Sequence, residues 1–174
     1  MALTPRQEEY LKSLPRNVAR ASVKIFEWNE HSLEVARLVI ESIKAADRQL
    51  NVYLRGSVPL KIAGQKDIDL TSVDSATKFQ IHISRLKSVL GKPEKINSSS
   101  VVWHFRRSGY EVSFYIVDSA QSDQLLRQDR IHHLLLNNPS LLEDYQRLKI
   151  SMDGQPYHSY QKAKFEFFTH LLSK

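Results

Sequence analysis

The chain has 174 residues, of which 41% are hydrophobic and 25% charged, with a formal net charge of +6 and no cysteine. That length fits one domain with a real core, and the lack of cysteine excludes disulfides and thiolate metal sites. No apolar run reaches the roughly 18 residues that a membrane-spanning helix needs, so no membrane association is expected.

The N-terminus, Met1-Ala2-Leu3-Thr4-Pro5-Arg6-Gln7-Glu8-Glu9, is polar where a signal peptide would be apolar, which predicts a cytoplasmic setting. The positive balance favours polyanions such as nucleotides or nucleic acid. The basic residues are spread along the chain, however, and only Arg106-Arg107 stand together near the predicted hairpin described below.

Residues 5–20 read as helical with an interruption at Pro15. Asn29 to Leu50 reads as a strong helix, because Leu33, Ala36, Ile40 and Ile43 recur at three- and four-residue spacing. Asn51-Val52-Tyr53-Leu54 reads as a short strand. Pro59 and Gly64 bracket a predicted helical turn after Gly56-Ser57. Asp67 to Val73 is the next strand. Ala76 to Leu90 is a second amphipathic helix, with Phe79, Ile83, Leu86 and Leu90 on one side and Gly91-Lys92-Pro93 at its end.

Val101 to Val117 predicts a hairpin turning at Ser108-Gly109. From Ser119 onward the pattern is helical, divided into three by Pro139 and Asp153-Gly154-Gln155-Pro156. The expected fold is α+β: a single domain over 1–174, with an α/β core over 21–118 and a helical part over 119–174.

Gly56-Ser57 at a strand end offers backbone N–H groups and a hydroxyl to an anion, and glycine permits close approach of a phosphate. Alone the pair is an ordinary turn. Lys66 then precedes Asp67-Ile68-Asp69-Leu70. Strand alternation puts Asp67 and Asp69 on one face while Ile68 and Leu70 point to the core. Two carboxylates near a phosphate-binding turn suit a hard divalent cation such as Mg²⁺ or Mn²⁺; two solvated aspartates on a strand are the bland alternative. In the hairpin, Trp103, Phe105, Tyr110, Val112, Phe114 and Ile116 form an apolar face. The opposite face carries His104, Arg106, Glu111 and Ser113. Glu111 is there a third metal carboxylate, or else the cross-strand ion-pair partner of Arg106. Arg106 and His104 are candidate phosphate contacts in the first case.

These pieces resemble the nucleotidyltransferase superfamily pattern of Gly-Ser, a short helix, Asp-x-Asp on a strand and an acid on a later strand. Within it the chain resembles the GrpB-like family, through Gly56-Ser57-Val58-Pro59, Gly64, Lys66 and Ile68-Asp69-Leu70. The resemblance continues in Pro139, Tyr145, Leu148-Lys149, Tyr160 and Lys164. Two departures stand out. The Gly-Ser to Val-Pro interval is two residues shorter than the family's, and Ile131-His132-His133 replaces its Phe-Arg-Asp.

The resemblance implies a nucleotidyltransferase-like mixed sheet and transfer of a nucleotidyl group from a nucleoside triphosphate to an acceptor it does not name. Asp67, Asp69 and Glu111 would hold metal and act in catalysis. Gly56, Ser57, Lys66, Arg106, Lys149 and Lys164 would bind nucleotide. The alternative is a catalytically silent nucleotide- or RNA-binding module on the same fold.

Overall fold

The computed structural model describes residues 3–121 and 123–173. Among them the helices and strands run α1 (Pro5–Ser13), α2 (Arg16–Arg20), α3 (Glu30–Ala46), β1 (Tyr53–Arg55), β2 (Asp67–Asp74), α4 (Phe79–Leu90), β3 (Lys95–Ile96), β4 (Ser100–Arg107), β5 (Tyr110–Asp118), α5 (Asp123–Leu136), α6 (Pro139–Ser151) and α7 (Tyr157–Leu172). The architecture is α+β. The chain divides into two compact units. One is built from Trp28–Lys61 and Lys66–Leu126. The other takes the residues up to Glu27, the short stretch Ile62–Gln65 and everything from Arg127 onward.

The first unit holds a five-stranded mixed sheet in the order β1-β2-β5-β4-β3. Only β2 and β5 run parallel; the other neighbours are antiparallel. The β4–β5 register pairs Arg106 with Glu111 and Trp103 with Phe114. Ser108 and Gly109 form its turn, both with positive φ, 49° and 81°, the backbone of a type I′ hairpin.

Ile68 and Leu70 of β2, Val112, Phe114 and Ile116 of β5, and Val101 and Trp103 of β4 all enter one core. Trp103 stacks on Phe114 with ring centroids 5.6 Å apart. Helix α3 adds Val35, Ala36, Val39 and Ile43 to this core, which extends the apolar stripe expected there. Asn29 caps the helix by accepting the Ser32 N–H, and the Tyr110 hydroxyl donates to the same Asn29 side chain at 2.9 Å. The start of β5 is thereby tied to the start of α3.

Three local expectations give way. Helix α3 stops at Ala46 instead of reaching Leu50, because the Asp47 carboxylate accepts the Gln49 N–H and bonds to His82 and Arg85. A side chain that competes for backbone donors in this way ends a helix. The stretch after Ser57 is a series of turns and contains no helix; Lys61 sits at φ 55°, which the right-handed helix forbids. Strand β1 begins at Tyr53, two residues later than Asn51.

In the second unit, α7 packs on α1, α2 and α6. Its aromatic centre is Tyr145, which stacks on Phe167 at 5.3 Å and lies 5.0 Å from Phe168. Backbone bonds from Val23 to Gln155 and from Gly154 to Val23 fasten the N-terminal arm to the turn before α7. The helical unit therefore includes residues before 119 as well as the C-terminal helices.

Candidate active site

The polar residues of the sheet fall in rungs that strand register dictates. Asp67 lies opposite Glu111, and Glu111 opposite Arg106. Arg55 lies opposite Asp69, Asp69 opposite Ser113, and Ser113 opposite His104. Tyr53, Thr71 and Tyr115 make the next rung. Residues paired across strands share a face. The face expected to carry His104, Arg106, Glu111 and Ser113 therefore also carries Asp67, Asp69 and Arg55.

The Gly-Ser turn meets this face directly. Gly56 has φ +74°, and a Cβ built on it would stand 2.7 Å from Asp69 Oδ2. Only a residue without a side chain lets the Asp69 carboxylate approach the turn so closely. Ser57, the next residue of the turn, is buried.

Lys66 completes the approach to β2. It takes φ 64°, a conformation that costs a non-glycine residue roughly 1 kcal/mol. Its carbonyl accepts the Glu111 N–H, which extends the β2–β5 ladder by one residue, and its ammonium lies 5.7 Å from the centre of the Tyr110 ring.

Glu111 and Arg106 are engaged with each other, Arg106 Nε donating to Glu111 Oε1 at 2.8 Å on an exposed face. Among the described residues, no group of three or more His, Asp or Glu side chains stands close enough to hold a metal ion. Asp67 and Asp69 alternate on β2 and lie on the same face. This set fits magnesium, which commonly takes one or two protein carboxylates and fills its shell with water and substrate phosphate oxygens.

Lys149 and Lys164 belong to the helical unit. Lys149 is buried, its ammonium 5.6 Å from the Tyr145 ring, and Lys164 lies 5.1 Å from the Tyr160 ring. The i, i+4 pairing read from the sequence thus holds for both. The His132 and His133 rings meet edge to face, with centroids 6.5 Å apart and planes at 75°.

Arg55 is the residue that sequence reading passed over. It is half-buried, and its Nε donates to Thr71 Oγ1 at 3.0 Å. Its Cζ lies 5.3 Å from the Tyr53 ring centre. Burial lowers its guanidinium from the usual value, against a smaller opposing pull from Tyr53. The signal for it was strand alternation carried back one residue from Gly56.

No family model matches this chain, and no curated protein sequence matches it. A solved structure does: the crystal structure of the conserved protein GrpB from Enterococcus faecalis. It superposes with a TM-score of 0.69 over 86% of this chain and 97% of that one, at 16% sequence identity. At that identity the likeness shows the fold, which is GrpB-like. No helix among the described residues is long and apolar enough to cross a membrane.

Proposed function

We propose that the chain is a metal-dependent nucleotidyltransferase that uses a nucleoside triphosphate. The single observation that carries this reading is the approach of the Asp69 carboxylate to Gly56, 2.7 Å from where a Cβ would stand. It joins the two halves of the motif, a phosphate-binding turn and a carboxylate pair, into one constellation. The Ser57 hydroxyl donates to a phosphate oxygen. Asp67 and Asp69 would hold Mg²⁺ or Mn²⁺, which would supply neutralisation of phosphate charge. The acceptor hydroxyl forms a bond to the α-phosphorus, pyrophosphate departs, and the hydroxyl proton passes to Glu111 once that side chain leaves Arg106. Lys66 is a further cation for the nucleotide.

The test is label transfer from a radiolabelled triphosphate, each of the four bases in turn, with Mg²⁺ or Mn²⁺ and an extract of small molecules and RNA as acceptors. Asp69→Asn should keep the fold, by circular dichroism and thermal melting, and lose transfer. Full transfer by that variant would sink the assignment.

One observation favours a second reading, a binding module without turnover: Glu111 is held by Arg106, and the third carboxylate is not gathered with the other two. Calorimetry with triphosphate, with and without Mg²⁺, separates the two. Binding that ignores the metal supports the module.

A further inference from the structure

Glu111 stands between two neighbours of opposite charge. Asp67 lies opposite it on parallel β2, and Arg106 lies opposite it on antiparallel β4. Adjacent strands are about 4.8 Å apart, so a glutamate side chain reaches toward either neighbour. Here it turns to Arg106, at 2.8 Å. Among the described residues no three His, Asp or Glu side chains are gathered for a metal ion. The two observations are sides of one choice: a Glu111 carboxylate that faces Arg106 is not gathered with Asp67.

The choice is reversible. The Arg106 and Glu111 side chains are 73% and 60% exposed, and water screens a pair so placed. A divalent cation at Asp67 attracts the carboxylate with twice the charge of a guanidinium. A polyphosphate in turn offers a guanidinium paired oxygens and more than one negative charge. Either ligand alone meets an obstacle. Metal that takes Glu111 leaves the Arg106 cation uncompensated beside it. Phosphate that takes Arg106 leaves Glu111 and Asp67 as like charges directly opposite, which is unfavourable. When both arrive together, each released partner meets an opposite charge.

We propose that the Arg106–Glu111 ion pair is a latch on the site. It holds Glu111 away from the metal and Arg106 away from phosphate until a metal–triphosphate complex takes both partners at once. This rests on the reading of Asp67 and Asp69 as part of a metal–triphosphate site. Arg106 thereby acts as a positioning residue, through Glu111.

Binding titrations test it with two probes used singly: Mn²⁺ alone, followed by electron paramagnetic resonance of the free ion, and inorganic tripolyphosphate with a chelator present. Arg106→Gln should tighten Mn²⁺ by about two- to fivefold, the scale of an exposed ion pair. Glu111→Gln should tighten metal-free tripolyphosphate by a similar factor. Loss of a nearby charge contributes to both effects, so the double variant is decisive. In the Glu111→Gln background, Arg106→Gln should tighten Mn²⁺ no more than Arg107→Gln does in the parent, since Arg107→Gln removes the same charge from the next residue of β4. Thermal midpoints should stay near the parent's, because both positions are exposed. Arg106→Ala replaces Arg106→Gln if the latter does not fold.

A gain in Mn²⁺ affinity in Arg106→Gln that vanishes in the Glu111→Gln background supports the latch. A gain of equal size in both backgrounds overturns it, as an effect of charge alone, while the nucleotide reading stands. No gain in Arg106→Gln also overturns it. Absence of binding when Mn²⁺ and tripolyphosphate are given together to the unmodified protein overturns the nucleotide reading and the latch together.

Discussion

Gly56 and Asp69 are placed so that neither tolerates a change in the other: a Cβ on Gly56 would stand 2.7 Å from Asp69 Oδ2, at a backbone φ of +74°. Gly56→Ala therefore meets two penalties. The left-handed backbone costs an L-residue about 1–2 kcal/mol, and the methyl group forces the carboxylate away from the turn. The expected outcome is a urea midpoint lower by an amount worth roughly 1–3 kcal/mol, together with loss of metal-dependent triphosphate binding. An alanine variant as stable as the parent would show that the carboxylate and the turn are not in contact.

A second cluster holds the far end of β2. His82 is fully buried, with Nδ1 2.6 Å from Asp47 Oδ2 and Nε2 3.0 Å from Asp74 Oδ2. Arg85 reaches the other Asp47 oxygen at 3.0 Å, and Lys78 reaches Asp74 at 2.9 Å. The imidazole links the end of α3, helix α4 and the end of β2. Its removal leaves buried Asp47 short of a partner, a situation that typically costs 3–5 kcal/mol. His82→Ala should lower stability by about that much in urea unfolding. The loss should be non-additive with Asp74→Asn, since both changes break one network. Simple additivity in the double variant would mean that the three groups do not act as a unit.

The same cluster makes the protein sensitive to acid. Burial pushes the Asp47 carboxyl up, but hydrogen bonds from His82 and the Gln49 N–H outweigh it, and the net shift is below the ordinary 3.8. Asp74 is lowered in the same way, with burial opposed by Lys78, the Ser75 N–H and His82. A carboxyl with a depressed folded value stabilises the fold at pH above its unfolded value. That contribution is lost as pH falls through the folded value. Urea midpoints should therefore hold from neutrality down to about pH 5 and fall below about pH 4, with Asp47→Asn showing a smaller acid-dependent drop than the parent. An equal drop in that variant would assign the acid sensitivity to other groups.

The sheet was legible because its signal is local. Alternation in Trp103–Phe105 and Tyr110–Ile116 sets the buried face, and Ser108-Gly109 sets the register, so Arg106 opposite Glu111 follows from sequence alone. Register also decides that Asp67 and Asp69 share a face with Glu111. It does not decide where the Glu111 carboxylate turns, which depends on a long side chain choosing Arg106. His82 was missed although it sits three residues after Phe79 and four before Leu86, on the apolar stripe of α4. Its partners Asp47 and Asp74 lie 35 and 8 residues away, and no local pattern announces such a match. Strand β3 is two residues long with both side chains exposed, so it has no hydrophobic period to read. The assignment of Ile62–Gln65 to the helical unit depends on long-range packing, which a short stretch does not encode.

Ser72 marks a place where the core is polar without an evident structural return. It lies on β2 opposite Ile116, fully buried, and its hydroxyl has no hydrogen-bond partner among the described residues. Its neighbours along that face are Leu70 and Asp74, so the hydroxyl sits where the apolar core meets the His82 cluster. A buried donor without an acceptor costs about 1–3 kcal/mol of desolvation, while removing one oxygen leaves a void too small to cost more than about 1 kcal/mol. Ser72→Ala should therefore be neutral or stabilising by up to about 1 kcal/mol in urea unfolding. It should not alter triphosphate binding, because Ser72 points away from the face that carries Asp67 and Asp69. A loss of stability above about 1 kcal/mol would show that the hydroxyl has a partner in solution, with an ordered water between Ser72 and the Asp74–His82 pair as the first place to look.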